Sequence, residues 1–117
     1  MGGRSIKRGE IYLAALDPVV GREISKTRPV VVVSNDKNNE FSATVTILPL
    51  TSRNIQKIYP FEVFLPKGRG NLPRNSKAKA DQIRTLDKSR LLTSLGSLEG
   101  EDLSAMGSAI KVHLGLA

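Results

Sequence analysis

Residues 30–33 are four valines in a row, entered through Pro29 and left through Ser34, Asn35 and Asp36. A β-branched run of this kind has neither the apolar stripe of a surface helix nor the in-out alternation of a half-solvated strand. It reads as a short strand with both faces buried. Pro29 cannot donate to a sheet ladder, which places the strand after it, over residues 30–34. A chain of 117 residues has room for about one core, so the other elements must cover this strand on two sides.

The rest of the chain supplies short strands. Residues 9–17, GEIYLAALD, alternate and stop at Asp17-Pro18; residues 19–27 form a loop interrupted by Gly21; residues 34–39, SNDKNN, carry turn chemistry. Residues 44–50, TVTILPL, make a third strand, and residues 62–65 a fourth, preceded by Tyr59, Pro60 and Phe61. After a Gly/Pro/Asn connection at 66–76, residues 77–85 read as a fifth strand, with Lys77 and Lys79 on one face and Ala78 and Ala80 on the other. Leu103, Met106, Ile110 and Leu114 then recur at helical spacing behind Glu99, Glu101 and Asp102, acids that the N-terminal end of a helix dipole favours. Gly107 weakens that helix by about 1 kcal/mol relative to Ala. Five or more short strands and one C-terminal helix, without βαβ alternation, predict a mainly antiparallel small barrel. One domain over residues 1–117 is expected, with 1–6 as a flexible N-terminus.

Charge narrows the function. Eighteen Lys and Arg against 11 Asp and Glu give a net charge of +7. Between residues 41 and 80, Arg53, Lys57, Lys67, Arg69, Arg74, Lys77 and Lys79 face one acid, Glu62. An excess concentrated in the middle of the chain favours a polyanion, nucleic acid first. The chain has no cysteine, which excludes a disulfide framework and thiolate chemistry. No apolar run approaches the roughly 18 residues of a membrane span, and the first nine residues lack the apolar core of an export signal. A cytoplasmic protein without membrane contact is expected.

Standard catalytic sets fail for want of parts. His113 is the single histidine, so a His-His acid/base pair, a Ser-His-Asp triad and a His-rich metal site are all excluded within one chain. Asp17, Asp36 and Glu40 lie in turn contexts, and GRGNLPRN lacks the strand-to-helix setting and Lys-Ser/Thr pair of a phosphate loop. No cofactor and no metal are expected. What remains is Glu23, Lys26 and Arg28, a carboxylate and two cations on a loop whose far end is fixed by Pro29 and the valine strand. Loops held by a rigid scaffold are where binding and catalysis concentrate, although a plain surface hairpin with a local ion pair fits the same residues.

Four segments taken together, RGEIYLAALDPVVGREISKTRPVVVVSND, LPLTS, YPFEV and DQIRTLDKSRL, closely resemble the MazF/PemK family of toxin–antitoxin ribonucleases, in order, from about Lys7 to the C-terminus. The resemblance implies an SH3-like barrel of the CcdB/MazF type with a C-terminal helix. It also implies homodimerisation, metal-independent cleavage of single-stranded RNA, and neutralisation by a cognate MazE-like antitoxin with an acidic disordered segment. By position, the family's catalytic arginine matches Arg28, its loop glutamate Glu23, its strand-ending threonine Thr51, and its glutamine Gln82. The chain departs from the family at SKAKA, just before Gln82, where relatives often have a mostly aliphatic strand.

RNA carries its own nucleophile, the 2′-OH, so a protein need only take that proton, neutralise the phosphorus centre and help the 5′-oxygen leave. On this reading Glu23 takes the proton. Arg28, always charged and bidentate, clamps the phosphate and serves as proton donor to the leaving group, and the Thr51 hydroxyl donates to a non-bridging oxygen. Arg53, Lys57, Lys77 and Lys79 are expected phosphate contacts, Tyr59 a stacking surface, and Ser25, Lys26 and Gln82 RNA contacts beside the catalytic set. Phe61 is expected in the core. The alternative is a CcdB-like toxin, which by resemblance shares the barrel, poisons DNA gyrase by binding and cleaves nothing. Glu23, Arg28, Thr51 and the basic excess weigh against it.

Overall fold

The computed structural model describes residues 5–116. In chain order the elements are β1 (Glu10–Ala15), β2 (Thr27–Val32), α1 (Asp36–Phe41), β3 (Thr44–Thr51), β4 (Glu62–Leu65), β5 (Ser76–Lys79), β6 (Arg84–Asp87), β7 (Leu91–Ser97) and α2 (Glu101–Leu114). All strand pairs are antiparallel, and the sheet runs β4-β5-β3-β2-β1-β7 with β6 also on β3. β3 is the branch point: its first half pairs with β6 and its last two residues with β5. The result is the expected antiparallel, barrel-like sheet with a C-terminal helix, left open between β4 and β7 among the described residues.

The valine run does what its composition demands. Val31 and Val33 pack into one apolar cluster with Leu48, Leu50, Ala78, Ala80 and the α2 residues Met106 and Ala109. Val30 and Val32 enter a second cluster with Tyr12, Ala14, Leu16, Val45, Ile47 and Leu86. Both cores therefore hold β2, each buried valine contributing roughly 1.5–3 kcal/mol relative to exposure. Of the N-terminal residues expected to be flexible, 1–4 lie outside the described residues, whereas Ile6 is buried in the second cluster.

Several expected boundaries are corrected. β2 begins at Thr27 and contains Pro29. The proline is tolerated because it faces only Leu13 of β1, the β2–β3 ladder starting one residue later at Val30. Pro49, inside β3, falls between the last pair with β6, at Ile47, and the first with β5, at Leu50, so no donor is missed on that side. Of SNDKNN, expected as a turn, residues 36–39 open a short helix, with Ser34 and Asn35 leading into it. Asn35 caps α1 by accepting the Asn38 N–H at 2.8 Å, and Asn39 is buried with its amide on the Ser34 carbonyl at 2.9 Å. The single strand expected over 77–85 is two, broken by a 3-10 turn at Ala80–Gln82 that carries the chain from one half of β3 to the other. Lys77 and Lys79 do lie opposite Ala78 and Ala80, and the alanines admit α2 closely. β7 had no counterpart in the expected strands; Gly96 within it lets the turn at Arg69–Asn71 approach, since a Cβ there would meet the Gly70 carbonyl oxygen at 2.5 Å.

Candidate active site

Arg28 lies opposite Ala14 on β2, two and four residues before Val30 and Val32 and on the same face. It is the first position on that face past the edge of the second core, so the backbone is anchored while the side chain reaches out half-buried. Its Nε donates to the Ser25 carbonyl at 3.2 Å, and its terminal nitrogens have no partner among the described residues. Extending the β2–β3 register by two residues from Val30↔Pro49 sets Thr51 opposite Arg28. The Thr51 Oγ1 accepts the Arg53 N–H at 3.1 Å, which leaves its own hydrogen to donate.

Both side chains line a depression of about 230 Å³ with Ser52, Pro73, Arg74 and Ser76. Thr51 also borders a second depression of about 170 Å³, walled by Ile24, Arg53, Asn54, Lys77 and Lys79. The last three residues border a third, of about 360 Å³, with Gln56, Lys57, Tyr59 and Glu62. Shared walls make these one trough, from Arg28 past Thr51 to Tyr59, with cations along its length. It suits a single polyanionic strand. Arg74, which lines the first depression with Arg28, was counted in the basic segment but not among the expected site residues; it arrives through a Gly/Pro/Asn connection whose path no local pattern reveals.

The remaining expected site residues are placed as follows. Glu23 is exposed in the 18–26 loop, its Oε1 accepting the Val20 N–H at 2.7 Å, and lines none of the three depressions. Lys26 is exposed with φ 67°, and Ser25 meets Arg28 through its carbonyl. Gln82 Oε1 accepts the Ile24 N–H at 3.3 Å, tying the strand-to-strand turn to that loop. Arg53 and Lys57 are exposed on the trough. Lys77 is not an exposed cation: its Nζ donates to the carbonyls of Asn54 and Lys57 and lies 2.9 Å from Glu62 Oε1. Lys79 takes the other carboxylate oxygen at 2.7 Å and faces Asp81 at 3.6 Å. Burial raises the Glu62 pKa, but hydrogen bonds from Lys79, the Tyr59 N–H and Lys77 outweigh it and hold the carboxyl below its ordinary value. For Lys79 burial likewise opposes the charge, and Glu62 with Asp81 raises its pKa on balance.

Tyr59 is 43% exposed and stacks on Phe61, centroids 5.5 Å apart and planes within 7°. Phe61 packs against the first core as expected, with the exposed His113 of α2 beyond it at 6.4 Å. Among the described residues no three His, Cys, Asp or Glu side chains gather as a metal site would require. No described helix is long and apolar enough to cross a membrane.

Residues 7–114 match the family described as PemK-like, MazF-like toxin of type II toxin–antitoxin system. The chain belongs to this family. Among relatives of the PemK/MazF family, it is 40% identical to Endoribonuclease MazF9 of Mycobacterium tuberculosis, over 95% of this chain and 98% of the relative. It is 39% identical to Endoribonuclease MazF of Staphylococcus saprophyticus, over 95% and 92%. The crystal structure of MazF from Deinococcus radiodurans superposes with a TM-score of 0.82 at 29% identity, covering 97% of this chain and 99% of that one. A MazE–MazF structure from the same organism gives 0.77 at 28%, over 98% and 100%.

Proposed function

We propose that this PemK/MazF-family chain is an endoribonuclease toxin that cuts single-stranded RNA at short sequence motifs without a metal ion. The observation that carries the reading is the meeting of Arg28 and Thr51 in one depression at the head of a cationic trough. The relatives named as MazF endoribonucleases support the activity. A cationic trough with an exposed aromatic at one end suits a single strand. Against the gyrase-poison alternative stand the family match and this arrangement, for which a protein that only binds gyrase has no use.

RNA lies with its scissile phosphate between Arg28 and Thr51. The guanidinium forks onto the non-bridging oxygens and the Thr51 hydroxyl donates to one of them, offsetting the charge that builds as the 2′-oxygen attacks phosphorus. Glu23 takes the 2′-OH proton. Because its carboxylate lies outside the depression, this role requires the 18–26 loop to close onto bound RNA. The P–O5′ bond breaks, and the departing 5′-oxygen, hydrogen-bonded by Arg28, takes its proton from water rather than from Arg28 as first expected, because a guanidinium keeps its charge at any working pH. The products are a 2′,3′-cyclic phosphate and a 5′-OH. Arg74, Arg53, Lys57 and Lys79 hold flanking phosphates, and Tyr59 stacks a base.

The chain acts in the cytoplasm as a homodimer neutralised by a cognate antitoxin with an acidic, disordered segment. Val112, Leu114 and Leu116, exposed at the end of α2, give a second copy an apolar surface to cover. The Deinococcus MazE–MazF complex and a mycobacterial endoribonuclease structure with its cognate antitoxin, the latter at 26% identity and TM-score 0.79 over 96% of this chain and 97% of that one, support the antitoxin. The reading is tested with an RNA oligonucleotide carrying one 2′-deoxyribose at the cleaved position. Loss of cleavage at that linkage alone supports 2′-OH attack; continued cleavage there overturns it.

A further inference from the structure

The 18–26 loop leaves the sheet through a neck that carries more polar contacts than its length requires. Leu16 N–H donates to the Lys26 carbonyl at 2.9 Å, and Lys26 N–H to Asp17 Oδ1 at 3.0 Å. Three successive carbonyls on the outgoing side, those of Ala15, Leu16 and Asp17, are all held by arginines from a distant part of the chain. Arg90 Nη1 donates to Ala15 at 3.0 Å and to Asp17 at 2.6 Å, and Arg84 Nη1 to Leu16 at 3.3 Å. Both arginines are half-buried, and neither lines the trough that carries the other cations.

We propose that Arg84 and Arg90 are positioning residues, which clamp the neck carbonyls of Ala15, Leu16 and Asp17 and so set where the 18–26 loop carries Glu23 relative to Arg28. The geometry supports this division. Arg28 is fixed from the far side of the loop by β2 and its two cores; on the outgoing side the second core holds Leu16, and past it the chain leaves the sheet at Asp17, whose carbonyl only Arg90 holds among the described residues. That direction is set by β6 and the 3-10 turn at Lys88–Arg90, through Arg90, whose Nη1 holds two carbonyls at once, and Arg84, which holds the one between them. Gln82 joins them by accepting the Ile24 N–H within the loop. The segment 82–90 thus grips the loop at its neck and near its middle, and Lys26, with its left-handed φ, closes the neck against Leu16 and Asp17. A carboxylate displaced by about 1 Å from its proton costs up to a hundredfold in rate, so a clamp remote from the phosphate still governs turnover.

The catalytic consequence rests on the ribonuclease reading; the clamp itself does not, and the test separates them. Arg90→Met, Arg90→Lys and Arg84→Met are compared with the unaltered protein in RNA cleavage, in the salt dependence of KM, and in tryptic cutting after Arg22 and Lys26 of the loop, with thermal melting as the control for folding. The clamp predicts faster loop cutting in both Met variants with melting preserved. It also predicts kcat down about tenfold or more with KM within about twofold, an unchanged salt slope, and only partial rescue in Arg90→Lys, which keeps the charge but replaces the planar, pre-oriented guanidinium with a rotating ammonium. Loop cutting that stays at the original rate in every variant overturns the clamp. So does a salt slope reduced by about 0.7 with kcat intact and full rescue by Lys, the signature of a phosphate contact. If the unaltered protein cuts no RNA, the ribonuclease reading falls while the proteolysis still decides the clamp.

Discussion

Lys77 Nζ lies 2.9 Å from Glu62 Oε1, with side-chain exposures of 4% and 1%, beneath the wall shared by the second and third depressions of the trough. The two carbonyls that Lys77 also holds, at Asn54 and Lys57, belong to the segment that carries Tyr59. A buried ion pair with its donors and acceptors satisfied is a fixed point; without Lys77, Glu62 keeps Lys79 and the Tyr59 N–H, but the Asn54 and Lys57 carbonyls lose their donor. Lys77→Met is therefore expected to lower stability by about 1–3 kcal/mol, read as a fall in the urea midpoint. A loss under about 1 kcal/mol would mean that the pair is wetter than its burial shows.

Acid should weaken the same site. The Glu62 carboxyl is held below its ordinary value of 4.5, so its contribution is complete above that pH and is lost as the pH falls through the lowered folded value. Lys79 has the opposite sign: its raised pKa gives stability that is complete below 10.5 and fades as the pH climbs past the folded value. Urea midpoints measured from pH 7 down to 3 should show the gap between the unaltered protein and Glu62→Gln narrowing below about pH 4.5. A gap constant across that range contradicts the assignment.

Arg28→Ala should lower kcat about a hundredfold to a thousandfold, the scale of losing one donor aimed at developing charge, with the urea midpoint little changed. Arg28→Lys should recover little, because an ammonium cannot fork onto two phosphate oxygens while an Nε–H holds the Ser25 carbonyl. Single-turnover cleavage checks both, and full rescue by Lys would reduce the role of Arg28 to bare charge.

Arg74 shares the first depression with Arg28 and Thr51 but has no place in the proton transfers. Arg74→Ala should raise KM, leave kcat near its original value, and reduce the log–log salt slope of RNA binding by about 0.7, one phosphate's share on a single strand. An unchanged slope would place Arg74 off the RNA.

The parts of this fold that could be read from the chain were those governed by neighbours in sequence. Four valines announced a strand between two cores, and the spacing of Leu103, Met106 and Ile110 announced α2. Arg28 could be picked out because Pro29 and that strand follow it directly. The parts that could not be read depend on partners far along the chain. Asn35 and Asn39 look like turn residues until one caps α1 and the other is buried against Ser34. Lys77 looks like a surface cation until Glu62, fifteen residues earlier, is found beneath it. Pro29 and Pro49 seem to forbid strand interiors until the ladders are seen to change partners beside them. Arg74, Arg84 and Arg90 enter the account only through tertiary placement, since nothing in their spacing marks them.

The most direct test of the central claim is to incubate the purified protein, in EDTA, with a long single-stranded RNA and a DNA of the same sequence, then map the cuts and their end groups. The account predicts cuts in RNA alone at one short motif, ending in 2′,3′-cyclic phosphate and 5′-OH, and slowed about a hundredfold or more by Arg28→Ala. RNA left intact at high protein concentration, or cut to 5′-phosphate ends, would contradict it.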